Sequence, residues 1–260
     1  MGAEQLAQAV RRQLEFGRLV PLGPAAEGAW LAERAAEVVL REAAGAVPGV
    51  RLGSLRLALA DPGQADAEAA RAAAEGPQDA RPPRPASALP PGPLRMTAEF
   101  AAAADRPLPE SAEHLRTALA RAAEQRIGLE VSAVDLHVTG LLDEAPDGTG
   151  VSGDAAGGEE AGGGEAVERA GEDAGSPAAV PPSGVAAAVA AAVLAVPGVL
   201  RLSASPVGAV RAVRAEDGQV EVQLTVSRER RILDVVRDAR RVTVAAAGTE
   251  RVAVTVTEVS

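Results

Sequence analysis

Cysteine, lysine, asparagine and tyrosine are all absent from this 260-residue chain, and its only aromatic residues are Phe16, Trp30 and Phe100. Without cysteine there is no disulfide, no thiolate metal site and no cysteine nucleophile, so a reducing cytoplasm is the expected setting. With lysine gone, every strongly basic side chain is an arginine. Ala, Gly, Pro, Arg and Val dominate instead, which is the bias of a GC-rich, actinobacterial type of genome rather than a sign of function. Long hydrophobic runs are missing too. The most apolar stretch, VAAAVAAAVLAVPGVL from Val185, reaches Pro197 after 12 residues, whereas a membrane-spanning helix needs about 20. The segment MGAEQLAQAVRRQLEFG lacks the apolar core of a secretion signal. A soluble chain is expected.

The formal net charge is −10, and its location matters more than its size. Residues 143–183 hold ten acidic residues against the single Arg169, a net of −9, which leaves the rest of the chain near neutral. Neither half carries the basic excess of an electrostatic nucleic-acid binder.

Two stretches lack the large apolar residues that folding requires. One, 61–93, is rich in Pro and Ala and is expected to be a long loop with at most a transient helical turn. The other, 143–183, contains GDAAGGEEAGGGE and ends in SPAAVPPS, the composition of a flexible, self-repelling linker. Its root-mean-square span is about 35 Å on the flexible-chain estimate.

The segments around these stretches repeat one another. AVPGV occurs at 46–50 and again at 195–199. Ahead of each copy lies a helical spacing of apolar residues: Trp30, Leu31, Ala35, Val38 and Val39 in the first, Val185, Val189, Ala192, Val193 and Val196 in the second. After each copy come alternating strand patterns, 55–60 and 94–100 in the first, 209–215 and 220–226 in the second. A helix follows at 109–128 and again from Ser227, with Ser111 and Ser227 as expected N-caps and Pro109 suited to the helix approach. A last strand closes each copy, at 130–141 and 251–259. From the proline of Pro-Gly to the second strand is 46 residues in the first copy and 23 in the second, the excess being the 61–93 insertion.

The predicted fold class is therefore α+β, a tandem diverged repeat of two helix-strand-strand-helix-strand modules. The expected divisions are an N-terminal helical segment (1–25), a first module (26–142) with its insertion at 61–93, a disordered acidic linker (143–183) and a second module (184–260). The two modules could engage two partners or pack as an internal pseudo-dimer.

The first copy also carries a family pattern. Its turn has Val47, Gly49 and Val50, and its last strand has Gly128, Leu129, Val131, Val134, Leu136 and Val138 in the order glycine, then spaced valines and hydrophobics. In these positions the chain resembles the alkaline-shock family of bacterial cell-envelope stress proteins, over most of 28–142 and more weakly over 184–260. The resemblance implies a small non-catalytic α+β domain without a cofactor, associating with itself or with a membrane-anchored partner at the inner face of the membrane. The chain departs from the family's usual single domain by its second copy and its insertion. The second copy also lacks the glycine directly before its last strand, unless Gly248 serves.

Chemistry is sparse. Gly148-Thr-Gly-Val-Ser-Gly153 satisfies G-x-G-x-x-G, but it lies in the acidic stretch between Asp147 and Asp154 and not between a strand and a helix, so no phosphate site is expected. The two histidines, His114 and His137, could be paired on paper with Ser111 or Ser132 and Asp135. Spacing instead puts both on solvent faces, and two histidines without cysteine make poor zinc ligands. Glu221 and Glu258 alternate with valines as solvent-facing carboxylates do. The N-terminal stripe Leu6, Val10, Leu14 and Phe16 is expected to pack onto the first module.

The densest basic feature is Arg228, Arg230, Arg231, Arg237, Arg240 and Arg241. Pairing with Glu229, Asp234 and Asp238 is the plain expectation; a docking face centred on Arg237, Arg240 and Arg241 is the functional one. The sequence thus predicts no catalytic residue, no metal and no cofactor. It favours an interaction or scaffold protein in cell-envelope stress over the alternative, a small-ligand or nucleic-acid binding module using residues near 228–241.

Overall fold

A computed structural model of the chain describes residues 18–75, 82–85, 87–142, 184–203 and 212–260. The predicted N-terminal stripe at 6–16, the acidic linker and its G-x-G-x-x-G run lie outside the described residues.

The described chain is mixed α+β with two sheets. In chain order it runs β1 (Leu19–Pro21), a 3-10 turn (Ala25–Glu27), β2 (Ala29–Ala32), α1 (Glu33–Gly45) and β3 (Val50–Leu59). Next come α2 (Pro62–Glu75), β4 (Leu94–Ala103), α3 (Leu108–Arg121), which continues as a π-helical turn over Ala122–Ile127, and β5 (Val131–Leu142). The second copy supplies α4 (Val185–Leu194), β6 (Val199–Leu202), β7 (Val213–Glu216), β8 (Gln219–Val226), α5 (Ile232–Ala247) and β9 (Val252–Val259).

The repeat holds at the level of single hydrogen bonds. In both AVPGV turns the glycine is left-handed, Gly49 at φ 71° and Gly198 at φ 95°. Each turn glycine accepts a backbone bond of 2.8 Å from the residue ending the second strand or just after it, Ala103 in one copy and Ser227 in the other. Helices α3 and α5 start from extended residues of nearly equal geometry, Pro107 and Arg231. Both end on a left-handed glycine, Gly128 and Gly248, so Gly248 does take the position before the last strand. In the second copy β6 and β7 share one side of β8, and the chain leaves and rejoins that side at Gln223, which bonds both Ser203 and Ala212. Together they occupy the place of β3.

Several sequence expectations are corrected. Trp30 and Leu31 are not helical: β2 is buried along its whole length, and its apolar residues happen to run in phase with Ala35 and Val39 of α1. The helix begins only at Glu33, and Val38 faces solvent. Residues 19–21, assigned to an N-terminal helical segment, form a strand instead. Ser111 and Ser227 cap neither helix. Ser111 is buried within the first turns of α3, and the Ser227 hydroxyl accepts from the Glu229 amide in a turn ahead of α5. The strand predicted at 209–215 is described from Val213 onwards, and the strand after the second turn begins at Val199.

The insertion at 61–93 is also more ordered than expected. It forms the 14-residue helix α2, whose Ala65 is buried, and then runs alongside β1. There the Leu19 amide donates to Ser87 O and the Leu89 amide to Leu19 O.

The two copies interlock. The larger sheet runs β1-β2-β9-β8-β6, with β7 also on β8, and the smaller runs β3-β4-β5. Strand β2 belongs to the first copy by sequence but lies parallel to β9 of the second. The chain then crosses through α1 to β3 in the other sheet, and α1 packs against β3 and α3 as well as β9. The buried residues form one continuous core, from Leu22 and Leu40 through Phe100 and Leu115 to Leu224 and Ile232.

Candidate interaction surface

The arginines near 228–241 are where sequence placed a docking face, and most of them are engaged inside the molecule. Arg237 grips Glu27 with both arms of its guanidinium, at 2.9–3.1 Å, across 210 residues of sequence. That hydrogen-bonded carboxylate raises the Arg237 pKa above the ordinary arginine value. Arg240 reaches Glu250 O and its carboxylate, and Arg241 pairs with Asp238 at 2.9 Å. Arg230 donates to Pro197 O, and Arg231 to Glu124 O in the first copy. Glu42 of α1 is shared by Arg126 of the first copy, at 3.1 Å, and Arg228 of the second, at 3.6 Å. The helix is thus a seam. Of the expected partners Asp234 and Asp238 are used, but Glu27, Glu42 and Glu250 were not foreseen.

The catalytic pairings considered from sequence do not assemble. His114 and His137 are exposed. Asp135 is held by Arg95 at 2.7 Å, and the Ser132 hydroxyl donates to Leu94 O. Glu221 pairs with Arg214 on the neighbouring strand, and Glu258 of β9 pairs with Arg201 of β6 across the intervening β8. Among the described residues no cluster of three or more His, Asp or Glu could hold a metal ion, and no helix is long and apolar enough to cross a membrane. One open cleft, of about 730 Å³, lies between the β7–β8 hairpin and the start of α4. It brings Arg214, Glu216, Asp217 and Thr249 together without a buried ionised group.

The sheets differ in the edges they leave free. The larger sheet is covered on one face and partly covered on the other, where Arg201 and Glu258 remain exposed. Val222, Leu224, Val254 and Val256 lie under α5, and on the opposite face Trp30, Thr225 and Thr255 are 5%, 1% and 7% exposed. Its β1 edge is occupied by 87–89, and its other edge is made of two four-residue strands. Very short edge strands are a common way of blunting an edge.

The smaller sheet has one face on the core, through Leu55, Leu57, Met96, Ala98 and Phe100. Its other face is open and presents Arg51, Ser54, Arg56, Arg95, Glu99 and His137. Its β3 edge is capped by side chains. The nearly buried Glu33 accepts from the Leu57 amide at 3.0 Å while Arg18 donates to Leu57 O at 2.8 Å and to Glu33 itself. Arg41 takes Gly53 O at 2.9 Å.

The β5 edge has no such cover among the described residues. It is the end strand of its sheet and 12 residues long, and most of it is half-buried or exposed, with Val138 at 46% and Leu141 at 61%. One side chain approaches it: Arg116 Nε lies 3.4 Å from Val134 O, while that guanidinium also holds Glu113. The strand has no proline and no arginine, which are among the usual guards of an exposed edge. That omission was readable in the sequence, although the strand's place at an edge was not.

Comparison with protein-family models, with curated proteins and with solved structures finds no match. The surface has therefore to be read from its own chemistry.

Proposed function

We propose that this chain is a non-catalytic interaction and scaffold protein whose working end is the three-stranded sheet. The observation that carries this reading is the contrast between the sheet edges: those of the larger sheet are occupied by 87–89 or made of two four-residue strands, while the smaller sheet keeps a 12-residue strand edge without such cover among the described residues. Unpaired strand edges are templates for another chain, and folded proteins that leave one open use it for recognition. The resemblance to the alkaline-shock family supports a cytoplasmic protein at the inner face of the membrane, held there by a membrane-anchored partner, with a role in cell-envelope stress. The alternative reading, ligand or nucleic-acid binding through the arginine-rich helix, has little left to work with, since Arg237 and Arg240 already hold carboxylates of the chain.

Affinity capture of the tagged full chain from gently solubilised cells tests the reading. Deleting one half is not a usable control, because the halves share a core. The control is a change on the open face, Arg56→Glu with Thr97→Arg, which leaves the buried side of the sheet untouched. The expected result is a membrane-anchored protein retained by the wild type and lost from the variant. Equal recovery with both, or specific turnover of a metabolite by the purified chain, would overturn the reading.

A further inference from the structure

We infer that the open edge of β5 is the contact between two copies of this chain, pairing antiparallel about Leu136 to make one six-stranded sheet across the dimer. The inference rests on the reading of the three-stranded sheet as the working end, and it names the occupant of its edge.

The molecule shows how such an edge is used. Strand β9 is the second copy's counterpart of β5, and its free side takes β2, an apolar strand leading directly into α1. The corresponding residues ahead of α4 read Val180-Pro181-Pro182-Ser183-Gly184. Two consecutive prolines have no amide hydrogens to give a ladder, and among the described residues no strand lies on the far side of β5.

The strand is complementary to itself. Residues paired laterally with β4 share its faces, so Val134, Leu136, Val138 and Leu141 lie on the core face and Asp135 and His137 on the open face. In an antiparallel pair with Leu136 opposite its own copy, Val134 meets Val138 and Val131 meets Leu141. This covers the two most exposed apolar side chains of the strand. On the other face Asp135 meets His137 twice. The register also respects both irregularities of β5, near Ser132 and Thr139, since each copy brings one to either half of the contact. A shift by one residue would set apolar against polar faces throughout.

Charge selects the antiparallel sense. The stretch of net −9 begins immediately after Leu142. Parallel pairing would start both acidic stretches side by side. Antiparallel pairing starts them at opposite ends of the strand, about 40 Å apart at 3.3 Å per residue.

Sedimentation equilibrium of the full chain is the test. The wild type is expected at twice the 26.1 kDa of the chain, and Val138→Arg at the single mass with unchanged circular dichroism, because Val138 is outside the core. Because the chain has no cysteine, a single introduced one reads the register. Leu136→Cys is expected to form an intermolecular disulfide on mild oxidation, since directly opposed residues come within disulfide reach. Thr139→Cys, six residues out of register with its own copy, is expected not to. A wild type that stays monomeric at all concentrations, a dimer that survives Val138→Arg, or cross-linking through Thr139→Cys alone would overturn the inference. None of these bears on capture through Arg56 and Thr97, so the wider reading stands or falls separately.

Discussion

Gly128, which ends the helical part of the first copy, lies against Leu233 in the first turn of the second copy's helix α5: a Cβ on the glycine would sit 2.5 Å from the Leu233 Cβ. The glycine also has φ +96°, so both its backbone and its missing side chain are required. Gly128 therefore also shapes the contact between the copies.

Gly128→Ala is expected to destabilise the whole chain by about 2–5 kcal/mol, combining left-handed strain with overpacking. Urea unfolding measures it. A loss below about 0.5 kcal/mol, within the range of ordinary surface changes, would show that the two helices do not meet there.

The Arg237–Glu27 pair joins α5 to the turn between β1 and β2, with both groups partly exposed. Its worth should be modest, about 0.2–1 kcal/mol in a double-mutant cycle, and smaller at high salt. The same cycle with Arg237 and Asp238 is expected to show no comparable coupling. If removing Arg237 left the Glu27 contribution unaltered, the seam would lack this clasp.

Glu33 presents a different balance, since it is nearly buried and serves both the Leu57 amide and Arg18. Glu33→Ala strands the amide and the guanidinium together, and a loss of about 3–5 kcal/mol is expected. Replacing both partners, Glu33→Leu with Arg18→Leu, is expected to cost less than Glu33→Ala alone, because no charge is then left unpaired. The reverse order in thermal or urea melts would contradict a part-buried pair capping the β3 edge.

How far the sequence reached depended on how local each determinant is. The AVPGV turns, the period-two run at 220–226 and the helix before each last strand depend on neighbouring residues, and they stand close to where periodicity put them, although α5 starts at Ile232 and not at Ser227. The partner of β2 is not local at all. Four residues, Ala-Trp-Leu-Ala, are too few to show a strand period, and nothing near them says that Val254 to Val256 lie alongside. The helix in the insertion was discounted because alanine contributes little apolar area, yet one buried residue, Ala65, and strong helix propensity accompany it. The arginines were legible as a cluster, but their carboxylate partners Glu27, Glu42 and Glu250 were not, since two of the three lie more than a hundred residues away. The β5 edge became visible only once topology showed which strand had no neighbour.

The central structural claim is that β2 of the first copy completes the sheet of the second, making the two copies a single unit and leaving β5 as the unmatched edge. Trp30, the only tryptophan, sits on β2 and is 5% exposed, so its fluorescence reports that docking directly. Urea unfolding should therefore be followed by Trp30 fluorescence and by far-ultraviolet circular dichroism on the same samples. The account predicts coincident transitions with one midpoint, as a single cooperative unit requires. Trp30 becoming exposed at a lower midpoint, while half or more of the secondary structure persists, would contradict it.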